Sequence, residues 1–256
     1  MKILNKNILR EFKFSIARFI SISILLALGV FILIGLKVTG NDMRQTANDY
    51  YSIHNMADAE IRSNANISEV DQKKLKKLDH LKAIEFTNST DGLISGSNTS
   101  IRIQAETTKL STNQLISGHL PKNNHEITLN NRDKGKYEIG SYITLKNKSG
   151  DATSELKNNK YKVVGFITSS DYLLKQNLGT TTVGTGQIDT YGVVSKSAFK
   201  SNNPTVALIS YNNLKGSSYS DSYEKQVEKN ISQSEPTIKR MVQDRKKESY
   251  SLLIKR

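Results

Sequence analysis

The stretch that decides the reading is Phe19 to Leu36, FISISILLALGVFILIGL, eighteen consecutive residues without a charge, held between Arg18 and Lys37. At about 1.5 Å of rise per residue, such a run reaches roughly 27 Å as a helix, close to the hydrocarbon thickness of a bilayer. No other part of the sequence combines this length with this composition, so one membrane-spanning helix is expected, over residues 19–37. Its flanks set the direction. Lys2, Lys6, Arg10, Lys13 and Arg18 precede it against Glu11 alone, whereas Asp42 and Asp49 follow it with one Arg44. Positive flanks stay in the cytoplasm, which makes residues 1–18 a cytoplasmic basic lead and puts the remainder outside. The competing reading is a cleaved secretory signal, whose apolar region normally runs to about 7–15 residues before a small-x-small site. This run is longer, and Val38 and Gly40 make a poor site of that kind, so an uncleaved anchor is the expectation. Ser23, Ala27 and Gly29 offer a small-residue approach for a partner helix, a spacing too common to argue from.

The formal charge of +13 suggests an acidic partner until it is apportioned along the chain. Residues 1–37 hold +5 and residues 239–256 hold +5, which leaves +3 for everything between. A basic stripe interleaved with stacking aromatics is missing from that middle, so nucleic-acid binding is excluded on charge. With no cysteine there are no disulfides, no thiolate metal sites and no Cys nucleophile, and an exported domain here holds together by packing alone.

Downstream of the anchor, helix is expected to continue through Met43 to Tyr51, followed by a short strand over Ala59 to Arg62. Ser68 and Asp71 have the spacing of a capping box opening a helix, with Val70, Leu75, Leu78 and Leu81 as its narrow apolar face. The period then changes to two. Ile101, Ile103 and Ala105 alternate with Arg102 and Gln104; Ile127 and Leu129 flank Thr128; Ile139, Ile143 and Leu145 bracket polar partners; and Tyr161 to Ile167 is an apolar run of strand length. Gly92, Gly96, Gly118, Gly135 and Gly150 read as turns between these strands. The expected fold class is therefore α+β, with an outer domain over residues 38–219. A charged helical tail is expected over 220–256: Tyr223, Val227 and Ile231 lie four apart, and Pro236 opens a second helix carrying Ile238, Met241, Val242, Tyr250 and Leu253. The tail reads as the start of an interrupted long helix. The lead itself, with Ile3, Leu4, Ile8, Leu9, Phe12 and Ile16 at roughly helical spacing, either lies on the inner membrane surface or is a solvated basic region.

No catalytic constellation stands out. His119, His125 and Glu126 in GHLPKNNHE could be imagined as a metal set; a six-residue separation shares no helix face, although on one continuous strand it would put both histidines on the same face, and loops rich in Lys and Asn are usually solvated. Gly179 and Gly184 in LGTTTVGTGQ reproduce the outer frame of a phosphate loop. Thr185 and Gly186 stand where the motif needs Lys and a hydroxyl residue, so a turn-forming loop is the better reading. There is no Gly-x-Ser-x-Gly elbow and no His-Glu-x-x-His. The sequence therefore nominates no catalytic, cofactor-binding or metal residue, and a non-enzyme is expected.

Five segments together resemble one family. ILREFKFSIARFISISILLALGVFILIGLKVTGNDM (8–43) is similar to the opening of large FtsX-like ABC transporter permeases of Gram-positive bacteria. SGHLPKNNHEITLNN (117–131) resembles the family's Gly-x-Leu-Pro-x-Asn turn and following strand, YEIGSYITL (137–145) its Ile-Gly-x-x-Ile-x-Leu strand, and YKVVGFITSSDYL (161–173) its Val-Val-Gly strand. LGTTTVGTGQIDTYGVVSKSAF (178–199) resembles the family's glycine-rich connector, next strand and Lys-x-x-Phe. The resemblance implies an extracytoplasmic core domain of the MacB type inserted after the first transmembrane helix. It also implies a separate cytoplasmic ABC ATPase as partner, further permease helices in the same bilayer, and a role in transport or mechanotransmission. Family permeases carry several more transmembrane helices than the single one read here, so a partial or truncated permease chain is expected. The alternative is a stand-alone anchored binding or sensor module.

Overall fold

The computed structural model describes residues 2–63, 65–147, 153–172, 178–244 and 250–254, and it places the uncharged run inside one long helix, α1 (Lys2–Ile53). Every side chain from Phe19 to Leu36 is exposed, Phe31 by 74%. These apolar side chains, open on all sides of the helix, meet no protein core among the described residues. Among the described residues this is the one helix long and apolar enough to cross a membrane. Two of its hydroxyls return to the helix itself: Ser21 Oγ donates to Ala17 O and Thr39 Oγ1 to Gly35 O, each at 2.8 Å. The side chains of the lead, residues 2–14, lie outside what the structure describes.

The chain divides into two compact units, Met1–Asp49 and Tyr50–Arg256. Among the described residues the second holds eleven strands and two α-helices. In chain order these are β1 (Ala59–Ser63), α2 (Glu69–Leu75), β2 (Leu81–Thr87), β3 (Ser89–Ile94), β4 (Ser100–Ala105), β5 (Asn113–Gly118), β6 (Glu126–Asn130), β7 (Tyr142–Lys146), β8 (Lys160–Ser169), β9 (Thr190–Val194), β10 (Val206–Tyr211), α3 (Asp221–Asp244) and β11 (Tyr250–Ile254). The fold class is α+β, as expected from the change of period along the sequence.

Four strands form an antiparallel sheet in the order β11-β1-β10-β2. Alternation along β10 explains its two faces. Ala207, Ile209 and Tyr211 point to a core shared with Ala59, Ile61 and Leu75, and with Ile238 and Met241 of α3, while Val206 and Leu208 point to a smaller cluster with Ala57 and Leu110. The remaining strands run β5-β8-β6-β9-β4-β3-β7, and a further pairing of β7 with β8 closes six of them into a mixed barrel. The ten-residue β8 makes closure possible. One of its edges pairs with β6 over Lys162 to Ile167, and the other is divided between β7 at Lys160 to Lys162 and β5 at Gly165 to Ser169. Ile101, Ile103, Ile127, Leu129, Tyr161 and Phe166 fill the interior. The chain passes from sheet to barrel through Asn88 and returns before β10. The two crossings are clipped together: Asn88 Nδ2 donates to Asn203 O at 2.9 Å, Ser89 N to Thr205 Oγ1 at 3.0 Å and Thr205 N to Thr87 O at 3.1 Å.

Several expectations change in detail. The capping box is present, with Asp71 N donating to Ser68 Oγ at 3.2 Å, but α2 stops at Leu75; Val70 is exposed, and Leu81 opens β2 instead of extending the helix. Gly92 lies inside β3, where an added Cβ would stand 3.1 Å from Lys146 O, so it permits close strand packing and makes no turn. Ile139 is exposed ahead of β7, and Gly150 lies outside the described residues. The largest correction concerns residues 220–256. Pro236 opens no second helix: α3 runs through it to Asp244, with Val227, Ile238 and Met241 buried, and the chain then forms strand β11 beside β1 in place of a continued long helix. The tail belongs to the second unit's sheet because β1 has an open edge that β11 fills.

Candidate functional site

Where α1 ends, the chain turns sharply. Asn55 takes a φ of +46°, Met56 N donates back to Tyr51 O at 2.9 Å, and Asp58 is delivered to the margin of the sheet with its N–H on Ile209 O at 2.8 Å. Beside it opens a cleft of about 440 Å³. Its walls come from four separate segments: the end of α1 and its turn, the start of β2 at Lys82 and Ala83, the loop at Lys109 and Leu110, and the stretch from Ser210 to Tyr223.

Asp58 is buried, with 7% of its surface exposed. Its Oδ2 accepts the Tyr211 N–H at 2.7 Å, and its Oδ1 accepts the Tyr223 hydroxyl. Burial, then the neighbouring Asp58 charge and its hydrogen bond, push the Tyr223 phenol well above its ordinary range, so the tyrosine is the donor of that pair. Tyr51 shares its hydroxyl with Tyr219 at 3.0 Å, and burial followed by this partner raises its pKa in the same direction. The opposite wall is fixed by Glu85, which accepts the backbone N–H groups of Thr108, Lys109 and Leu110 at 2.8–2.9 Å. Gly216, at φ +90°, makes the turn that brings Ser218 to the cleft; a Cβ there would come within 2.9 Å of Ser220 Oγ.

The residues singled out in the sequence lie elsewhere. His119 and His125 are exposed between β5 and β6, and His119 Nδ1 is 2.8 Å from Leu120 O. Glu126 is spent on its own loop, accepting Lys122 N and Asn123 Nδ2 at 2.7 Å. Desolvation pushes its pKa up, and these hydrogen bonds bring it below the usual range. Among the described residues no group of three or more His, Asp or Glu side chains could hold a metal ion. The glycine-rich stretch is a hairpin-like turn: Thr181 N donates to Gly186 O at 3.0 Å and Ile188 N to Gly179 O at 2.9 Å. It opens no helix, and Arg102, held bidentately by Asp91 at 2.7 and 2.8 Å, pins it through Thr180 O. The Asp58 cleft itself left no local mark in the sequence, because its members are spread over more than 170 positions; only the run of Tyr211, Tyr219 and Tyr223 is unusual there.

No family model matches this sequence, and no curated protein matches it. Among solved structures, the chain is similar to the periplasmic region of MacB from Actinobacillus actinomycetemcomitans, at 10% identity and a TM-score of 0.38, over 77% of this chain and 88% of that one. It is also similar to the extracellular domain of the noncanonical ABC-type transporter YknZ from Gram-positive bacteria, at 12% identity and a TM-score of 0.38, over 76% of this chain and 99% of that one.

Proposed function

We propose that this chain is the membrane-anchored outer domain of an FtsX-like ABC transporter permease, working with a separate cytoplasmic ABC ATPase and further transmembrane helices. In this reading residues 1–18 are the cytoplasmic lead, residues 19–37 the span, and the domain beyond is extracytoplasmic and non-catalytic. It couples ATP hydrolysis on one side of the membrane to transport or mechanical work on the other.

The observation that carries the reading is the register of the first and last strands. Ile53 ends α1 and Ala59 begins β1; β11 runs antiparallel to β1, with Ile254 opposite Ala59. The outer unit thus takes in the chain and hands it back at the same place. A domain inserted between consecutive membrane helices needs that geometry, whereas a module hung from one anchor does not. The five sequence segments point the same way, and two of them, around Gly118 and Gly165, meet in the β5–β8 pair.

Isolation from native membranes in a mild detergent tests the proposal. An ATP-binding-cassette subunit is expected to copurify at constant stoichiometry with the band recognised by an antibody to residues 41–235. A membrane protein of 28.6 kDa recovered without any such ATPase would overturn the reading in favour of a stand-alone binding or sensor module.

A further inference from the structure

Asp58 holds more charge than the fold around it uses. Its two hydrogen bonds come from a phenol and a backbone N–H, and among the described residues no cation pairs with it. The amide of Asn keeps both partners with one bond reversed, its oxygen accepting the Tyr211 N–H and its NH2 donating to the Tyr223 hydroxyl, so the pair can be held without the charge. A buried carboxylate without a counter-cation is costly to maintain, and this one lines an open cleft. Tyr51, Tyr211 and Tyr223 line the same space, and their rings attract an ammonium group by their negative faces. Lys82 and Lys109 also line the cleft; both are exposed, and neither forms an ion pair among the described residues.

We propose that this cleft binds a small zwitterion, a molecule with one ammonium group and one anionic group, carboxylate or phosphate. The ammonium lies against Asp58 and the tyrosine rings, and the anionic group meets Lys82 and Lys109. A simple cation is repelled by the two lysines, and a simple anion is repelled by Asp58. A molecule bearing both charges answers both ends of the cleft. Met56, Leu110 and Leu214 supply apolar wall for a short aliphatic body, and about 440 Å³ falls within the roughly 300–1,000 Å³ usual for small-molecule sites. Each Asp58 oxygen keeps a free lone pair beyond the hydrogen bond it already accepts, so ligand binding does not require either native bond to break. The inference stands independently of the transport reading.

Calorimetric titration of the full chain in detergent micelles tests it, with leucine, O-phosphoethanolamine and isoamylamine as probes; the last is leucine without its carboxylate. Saturable binding of leucine or O-phosphoethanolamine is expected, at least tenfold tighter than isoamylamine, and the tighter of the two identifies the anionic group. Asp58→Asn is expected to weaken the zwitterion at least tenfold at an unchanged melting temperature. The double variant Lys82→Glu, Lys109→Glu, at two exposed positions that leave folding intact, is expected to weaken the zwitterion tenfold and to strengthen isoamylamine. Absence of saturable binding by either zwitterion overturns the proposal, as does equal affinity in Asp58→Asn. If Asp58→Asn does not fold, an unchanged preference between leucine and isoamylamine in the lysine double variant overturns it.

Discussion

Gly118 and Gly165 face each other through backbone alone. A Cβ on Gly118 would stand 2.1 Å from Val164 O, and one on Gly165 would stand 2.6 Å from Ser117 O, at the point where β5 crosses the bulged part of β8. Gly118 also holds a φ of +79°. Gly118→Ala is therefore expected to cost about 3 kcal/mol, the sum of a left-handed conformation and a backbone clash. Gly96 has a similar φ of +83° with open space around it, so Gly96→Ala should cost only about 1 kcal/mol. Urea midpoints of the two variants compare them directly, and equal costs would deny the clash. Asp133 provides the residue-scale test of pH. Burial raises its pKa, against the opposing pull of the Thr190 hydroxyl and Lys136. An acid whose folded value lies above its unfolded value favours folding only when protonated, so its contribution is present at low pH and lost as pH rises through the folded value. Asp133→Asn keeps an acceptor for Thr190 and carries no charge. It is expected to be more stable than the natural protein at pH 7 and to lose that advantage by about pH 3, measured by thermal melts at both. The sequence marks Gly118 as special, but as a turn; its partner across the strand pair is visible only in the folded chain.

At the scale of elements, α3 shows how far periodicity reads. Val227, Ile231, Ile238 and Met241 recur at helical spacing; Val227 is buried, the other three pack with the sheet's core, and Asn230 between them forms a reciprocal amide pair with Asn213 at 2.7 and 3.0 Å. Pro236 reads locally as a helix start because it lacks an N–H for the interior. Helix is nonetheless kept through it, since residues on both sides are anchored by burial. The proline is exposed and contributes no core surface, so Pro236→Ala restores a helical hydrogen bond without losing packing. It is expected to stabilise the protein by about 1–3 kcal/mol, seen as a rise in melting temperature. The period-two runs at β4 and at the β7 pair Ile143 and Leu145 are legible because one face of each strand meets the barrel core, while β8 reads as a mostly apolar run because both of its faces are buried. Thr128 breaks that rule. It is fully buried although it points away from the barrel interior filled by Ile127 and Leu129, and its hydroxyl reaches Val193 O at 3.4 Å.

For the whole molecule, the direction across the membrane that we propose rests on the basic lead. The absence of native cysteine makes this simple to test. Ser97→Cys, on the exposed turn between β3 and β4, is expected to react fully with a membrane-impermeant maleimide on intact cells. Replacing Lys2, Lys6, Arg10, Lys13 and Arg18 with neutral residues should divide the population between two orientations and lower that labelling. Complete labelling of the neutralised protein would show that the charges do not set the topology. The long apolar segment, the helix that continues to the end of α1, the α+β class and the strands β1, β4, β6, β7 and β8 were legible in the sequence, because each depends on composition or on a pattern within one segment; β2, β3, β5, β10 and β11 were not, their short runs carrying no clear alternation. Closure of the barrel through β8, the return of β11 to β1 and the cleft at Asp58 were decided only by the tertiary structure. Each joins residues far apart in the chain, and no local pattern records which open edge or which unpaired carboxylate distant segments will meet.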